Sequence, residues 1–257
     1  MAGRQATLEL FFYNTPFAMP APKRAARPIG YTKAARALRV HADPVKAAVY
    51  RGYFKDPGEG VFLGVTTPIL RRVAREFCLL PFGDVRKLMQ SRIHDQQSLA
   101  YAILRRRFEK GSEAEREKIF HFYVRNRRLV CSWDAVDDTA PNIVGPYLLQ
   151  RDKQLLYQLA RSSRLWDRRI AIVSTLYFIR QGHIADTLRL AEMLLDDAED
   201  LIHKATGWML REAGKKDLSA LKKFLKAHGK TMPRTMLRYA IERFPEQERQ
   251  RYLKGTA

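Results

Sequence analysis

Trp133 and Asp137, four residues apart in Cys131-Ser132-Trp133-Asp134-Ala135-Val136-Asp137-Asp138-Thr139, are the residue types and the spacing best suited to chemistry in this chain. Ser132 is a good N-cap, so Trp133 is expected to open a short helix, with Asp134 complementing its positive end. The spacing then puts an indole and a carboxylate on one helical face. An aromatic surface beside a carboxylate suits a positively charged group, either a permanent cation or one that develops as a bond breaks. A core-anchoring Trp133 with a solvated Asp137 beside it fits the same spacing, and the segment alone leaves both readings open.

The sequence has only two other tryptophans, Trp166 and Trp208, and each has charged companions at helical spacing. Arg169 follows Trp166 by three residues, and Lys204 and Arg211 flank Trp208 at four and three. Indoles usually pack in cores, and Trp166 is expected there. Trp133 and Trp208, with polar residues on their own helical faces, are expected to be exposed. Upstream, the loop Gly58-Glu59-Gly60-Val61-Phe62-Leu63-Gly64-Val65 is too irregular for a dinucleotide fingerprint. Thr66, Thr67, Arg71 and Arg72 after it offer amides, hydroxyls and cations at a helix start, which suits a phosphate. A capped surface helix fits those residues equally well. Arg105-Arg106-Arg107 is read as a solvated charged face.

Other chemistries find no support. None of the six histidines shares a ligand-like spacing with a Cys or carboxylate, so no metal is expected. Cys78 and Cys131 make no disulfide framework, and a reduced, cytoplasmic setting is expected. No cofactor loop, nucleophile elbow or membrane-length apolar run is present in the sequence.

The elements that must position these residues are helical throughout. Asp43-Pro44 and Thr67-Pro68 are N-cap and first-turn signals. After the helix at 69–78, spans are expected near 84–91, 94–109, 113–125, 132–139, 142–149, 152–162, 165–180, 184–195, 199–213, 218–227, 233–243 and 246–253. Strand-like alternation is missing. Gln97-Ser98-Leu99-Ala100, Arg168-Arg169-Ile170-Ala171, His203-Lys204-Ala205-Thr206 and Arg238-Tyr239-Ala240 recur at offsets of about 35 residues or its double. That length fits helical hairpins, and the divergence between units points to irregular HEAT-like repeats. The expected fold is therefore an all-α solenoid of antiparallel helix pairs with a concave basic groove, spanning residues 31–257. Residues 1–30, rich in proline and basic side chains, are expected to form a flexible arm. With 47 Lys plus Arg against 27 Asp plus Glu, the formal charge of +20 favours a polyanionic partner, nucleic acid ahead of a membrane surface.

The segments SWDAVDD, LWDRRIAI and HKATGWMLREAGKKD, with FLGVTTPILRR upstream, resemble the AlkD family of bacterial DNA glycosylases, HEAT-like repeat enzymes that excise N3- and N7-alkylated purines. The likeness runs in the same order from about Tyr31 to Tyr252. It implies that Trp133, Asp137 and Arg169 form the catalytic group, that Trp208 adds a second aromatic wall, and that Thr67, Arg71 and Arg72 contact the DNA backbone. Lys204 and Arg211 are expected to add to that DNA contact. It also implies a metal-free, monofunctional enzyme, monomeric and nucleoid-associated on double-stranded DNA, that leaves the lesion in the duplex. The family often has a doubled tryptophan before the Asp, whereas Ser132 takes the first position here, and the arm before Tyr31 has no counterpart.

The chemistry of a cationic base agrees with one carboxylate. An N3- or N7-alkylpurine already carries positive charge and leaves without an acid, so Asp137 has only to stabilise an oxocarbenium-like sugar and guide water. Glycosidases acting on neutral leaving groups need two carboxylates. Arg169 is expected to clamp a phosphate near the lesion. Two rival readings are a non-catalytic HEAT-like protein that binds damaged or branched DNA, and a repeat scaffold for RNA or acidic proteins.

Overall fold

The computed structural model describes residues 30–54 and 60–256. Nearly all of the arm expected over residues 1–30 therefore lies outside the described residues, as do Gly58 and Glu59 of the glycine-rich loop.

The chain folds as a helical-repeat array, with no strand among the described residues. It opens with α1 (Tyr31–Arg39) and α2 (Pro44–Arg51), where the Asp43 carboxylate accepts from the Val45 and Lys46 amides and Pro44 takes a first-turn position that needs no donor. At α3 (Thr67–Glu76) the cap position falls to Thr66 rather than Thr67, and its hydroxyl makes no capping bond. The helices α4 (Phe82–Met89), α5 (His94–Lys110), α6 (Glu113–Asn126) and α7 (Trp133–Thr139) follow. After them come α8 (Gly145–Leu148), α9 (Gln154–Ala160), α10 (Leu165–Arg180), α11 (Ala185–Met193) and α12 (Asp200–Lys216). The array ends with α13 (Leu218–His228), α14 (Arg234–Ala240) and α15 (Glu246–Lys254).

One expected element differs in kind. In place of a single helix over 142–149, a π turn at Ala140–Val144 joins α7 to α8. Pro141 lacks an N–H and cannot donate to the carbonyl of Asp137 four residues back, so the regular pattern fails immediately after the candidate carboxylate. The Asn142 side chain donates to the Asp138 carbonyl at 2.7 Å and steadies the irregular turn.

The second helix of each pair packs on its counterpart in the next pair, so that α3, α5, α7, α10, α12 and α14 are successive neighbours. Polar bonds between neighbouring pairs recur at separations of 29 to 33 residues: Arg105 with Asp138, Asp137 with Arg169, Arg168 with Asp197, Arg169 with Leu201, Arg211 with Glu242. That separation is one helical-hairpin unit. The joints are tight. A Cβ added to Gly207 on α12 would lie 2.4 Å from the Met236 carbonyl oxygen on α14, so glycine is what lets these two backbones approach. Between the layers lies an apolar core running from Ala34 to Ala213, continued by a second cluster around Leu210, Leu237 and Ile241.

Candidate functional site

Asp137 and Arg169 meet where α7 packs against α10. Arg169 donates through Nε to Asp137 Oδ1 at 3.0 Å and through Nη2 to Oδ2 at 2.8 Å, a bidentate pair. Its Nη1 donates to the Leu201 carbonyl on α12 at 2.6 Å, so one guanidinium joins three successive helices of the layer. Only 6% of the arginine side chain is exposed against 20% of the aspartate, which places the carboxylate at the open edge of the pair. Burial pushes the Asp137 carboxyl above its ordinary range, against the hydrogen bonds and charge of Arg169, and the nearby Asp134 adds to the upward push. Each carboxylate oxygen accepts one arginine N–H and keeps capacity for a second donor. Burial and three internal acceptors turn Arg169 inward, toward Asp137, whereas the sequence leads one to expect a phosphate clamp.

Trp133 begins α7 behind Ser132, which is extended at the cap position as expected but makes no side-chain capping bond. The half-buried indole stacks on Phe54 with ring centroids 5.5 Å apart. Phe54 in turn meets Phe62 and His94, and the Phe62 and His94 rings stack at 4.6 Å. His94 Nε2 lies 2.9 Å from an Asp134 oxygen. Burial alone would raise the Asp134 carboxyl, but the hydrogen bond and charge of His94, with help from the Ser132 hydroxyl and Ala135 amide, hold it below the usual range. The loop carrying Phe62 is fixed from both sides. Val61 exchanges backbone bonds with Arg92 and His94, and buried Asp95 accepts from the Leu63 and Val65 amides at 2.7 and 2.8 Å. Gly64 adopts a φ of 79°, and a Cβ there would collide with the Asp43 carbonyl.

Trp133 also lines a cleft of about 560 Å³ between α2, α3, α5 and α7, walled by Tyr50, Tyr53, Phe54 and Leu70. Thr67 and Arg71, the expected phosphate seat, line this cleft. Arg72 does not line it, and its Nη2 lies 3.0 Å from His41 Nε2 instead. Asp137 is not among the cleft's lining residues.

Trp208 is half-buried against the core and lines a smaller cleft of about 300 Å³ with Leu176, Ile179 and Arg180. Trp166 is likewise half-buried, so burial does not separate the two as expected. Leu201, Lys204 and Trp208 stand at helical spacing along α12, which puts Trp208 two turns from the Arg169 contact. Lys204 pairs with Asp200 at 2.8 Å. Arg211 is not a free cation: it bonds Glu212 and Glu242, joining α12 to the turn after α14 with its side chain only 17% exposed.

The three consecutive arginines do not form one face. Arg105 donates to Glu109 and Asp138, Arg107 to Glu115 and the Leu80 carbonyl, and Arg106 lines the cleft. Sequence reasoning missed Phe54, Phe62 and His94 because they converge from separate segments; the local signal is one phenylalanine before the glycine-rich loop and one within it. Among the described residues no cluster of three or more His, Cys, Asp or Glu could hold a metal, and no helix is long and apolar enough to cross a membrane.

Comparison with known proteins now bears on this geometry. The family model for "DNA alkylation repair enzyme" matches residues 34–244. A solved structure described as "Predicted DNA alkylation repair enzyme from Enterococcus faecalis" superposes with a TM-score of 0.63 at 17% identity, covering 80% of this chain and 98% of that one. At that identity the likeness speaks for the helical-repeat fold. No curated protein matches.

Proposed function

This chain belongs to the DNA alkylation repair enzyme family, and from that premise we propose that it is a metal-independent, monofunctional DNA glycosylase hydrolysing the N-glycosidic bond of cationic N3- and N7-alkylated purines in double-stranded DNA. The observation that carries the proposal is the Asp137 carboxylate, gripped on both oxygens by Arg169 and left open at its outer edge, one helical turn from Trp133.

The alkylated base is already positive. As the C1′–N bond breaks, its electron pair passes to the purine, which leaves neutral, and positive charge moves to the sugar. Asp137 faces that charge and stabilises it. A water hydrogen-bonded to a free carboxylate lone pair adds through its oxygen to C1′ and loses its proton to Asp137. Arg169 is a positioning residue that fixes the carboxylate's direction. Trp133 offers a ring face to the sugar or cationic base, worth about 0.5–2 kcal/mol on the cation–π scale, and Trp208 is assigned the second wall. Thr67 and Arg71 are assigned to the DNA backbone, with a smaller share for Arg72 and Lys204. Because Asp137 lies outside the 560 Å³ cleft, the lesion is read as reacting at an open surface without entering a pocket.

In this reading the HEAT-like array from Tyr31 onward is one monomeric DNA glycosylase domain with a basic groove, acting in the cytoplasm behind a basic arm. The alternative is a non-catalytic protein binding damaged or branched DNA, favoured by the internal neutralisation of Asp137 by Arg169. Release of 7-methylguanine or 3-methyladenine from alkylated duplex in the presence of a chelator decides between them. Wild type should release base while Asp137→Asn binds DNA without releasing it; binding without release by wild type selects the alternative.

A further inference from the structure

Apart from Trp133, the residues of the cleft between α2, α3, α5 and α7 have no part in the bond-breaking chemistry above, yet its lining is specific. Four rings, Tyr50, Tyr53, Phe54 and Trp133, are part of it. Its acidic residues are all engaged: Asp134 by His94, Asp138 and Glu109 by Arg105, Asp95 by two backbone amides. Three guanidiniums that line it, Arg71, Arg75 and Arg106, have no ion-pair or hydrogen-bond partner among the described residues. The lining is formally balanced, four arginines against four carboxylates, but the cations without a partner are the ones available to an occupant, beside aromatic rings. Its volume of about 560 Å³ falls within the roughly 300–1,000 Å³ of small-ligand sites.

We propose that this cleft receives an unpaired nucleotide of the bound DNA, its base against the Tyr50, Tyr53 and Phe54 rings and its phosphates on Arg71, Arg75 and Arg106. Rings stack on any base face and unpaired guanidiniums take phosphate oxygens, the combination by which single-stranded nucleic acid is held. Within a duplex the base faces are covered by their neighbours, so these rings can be used only by a nucleotide that has left the stack. Trp133 lines the cleft and stands one helical turn, about 5.4 Å, from Asp137, and successive nucleotides rise about 3.4 Å along a strand, so the occupant is a nucleotide near the alkylated one. The inference rests on the DNA-binding part of the proposed function and not on bond cleavage.

The test uses DNA without any alkylated base. The full chain is titrated against a paired duplex and against the same duplex carrying one unpaired 2-aminopurine. The expected result is about tenfold tighter binding of the bulged duplex, the scale of one stacked base, with quenching of the 2-aminopurine emission. In Arg75→Ala/Arg106→Ala both the preference and the quenching should largely vanish, while Lys223→Ala/Lys226→Ala, which removes the same charge from α13, should keep both. Equal affinity for the two duplexes, or a preference that survives in the cleft variant, overturns the proposal and leaves the glycosylase reading standing. Failure to bind either duplex overturns both.

Discussion

Removing Arg169 tests the structural and chemical roles of the pair with Asp137 in one protein. Deleting one partner of a buried ion pair costs about 3–5 kcal/mol, because the other charge is left without compensation. Here the arginine is 6% exposed and the aspartate 20%. Water therefore reaches the orphaned carboxylate, and the expected cost of Arg169→Ala is nearer 2–3 kcal/mol. For a domain of this length each kcal/mol lowers Tm by about 2–4 °C, so melting should fall by roughly 4–12 °C. Replacing both partners together, Asp137→Leu with Arg169→Met, should recover most of that loss, since a matched apolar pair avoids the desolvation penalty. The chemical readout has a direction that packing alone does not give. Burial already raises the Asp137 carboxyl and Arg169 opposes it, so removing Arg169 raises that carboxyl further. The acid limb of the 7-methylguanine release profile should move to higher pH in Arg169→Ala and partly return in Arg169→Lys. A variant that melts like wild type, or an acid limb that stays in place, refutes the orienting role.

Three further outcomes follow from the same geometry. Asp137→Asn should lower base release by about 10²–10⁴-fold, the usual worth of a general base, with duplex affinity kept, as read by release and by equilibrium binding. The Asp137 carboxyl is raised on folding, so between its unfolded and folded pKa the native state binds more protons and stability falls as pH rises; Asp134, held low, contributes stability above its unfolded value that is lost as pH falls through its folded one. Urea melts of Asp137→Asn and Asp134→Asn against wild type between neutral and acid pH should show these opposite slopes. Gly207→Ala gains about 1 kcal/mol of helix propensity but places a methyl 2.4 Å from the Met236 carbonyl; net destabilisation of about 1–2 kcal/mol is expected, and a thermal melt showing a gain would refute the close-packed joint.

What the sequence could disclose depended on whether a property was local or relational. Periodicity, caps and prolines act over a few residues, so the helices from His94 to Lys254 were expected to within about three residues at each end. The meeting of Asp137 and Arg169 was legible because both carry the phase of the same repeat. The fate of individual arginines was not. Arg71, Arg106, Arg169 and Arg211 look alike in sequence, and only packing against the next repeat decides that Arg169 and Arg211 find a carboxylate while Arg71 and Arg106 line the cleft. The π turn was hidden for another reason: Pro141 signals a break, but not whether the chain will end its helix or widen one turn and continue.

The same helical period that carries the candidate chemistry also holds the array together, and this constrains what the charges can do. Arg105, Arg168, Arg169 and Arg211 each join one repeat to the next through an acid or carbonyl about one hairpin away. The net charge of +20 already counts the acids that hold them, so the pairing leaves it unchanged but withdraws these four guanidiniums from direct contact with a polyanion. At Asp137 the joint and the reactive carboxylate coincide. An acid held by its neighbour repeat on both oxygens has little freedom to reorient, and a fixed carboxylate beside a developing cation needs no reorganisation as the bond breaks. A substitution that loosens the α7–α10 joint without touching Asp137 should therefore slow the reaction more than it weakens DNA binding.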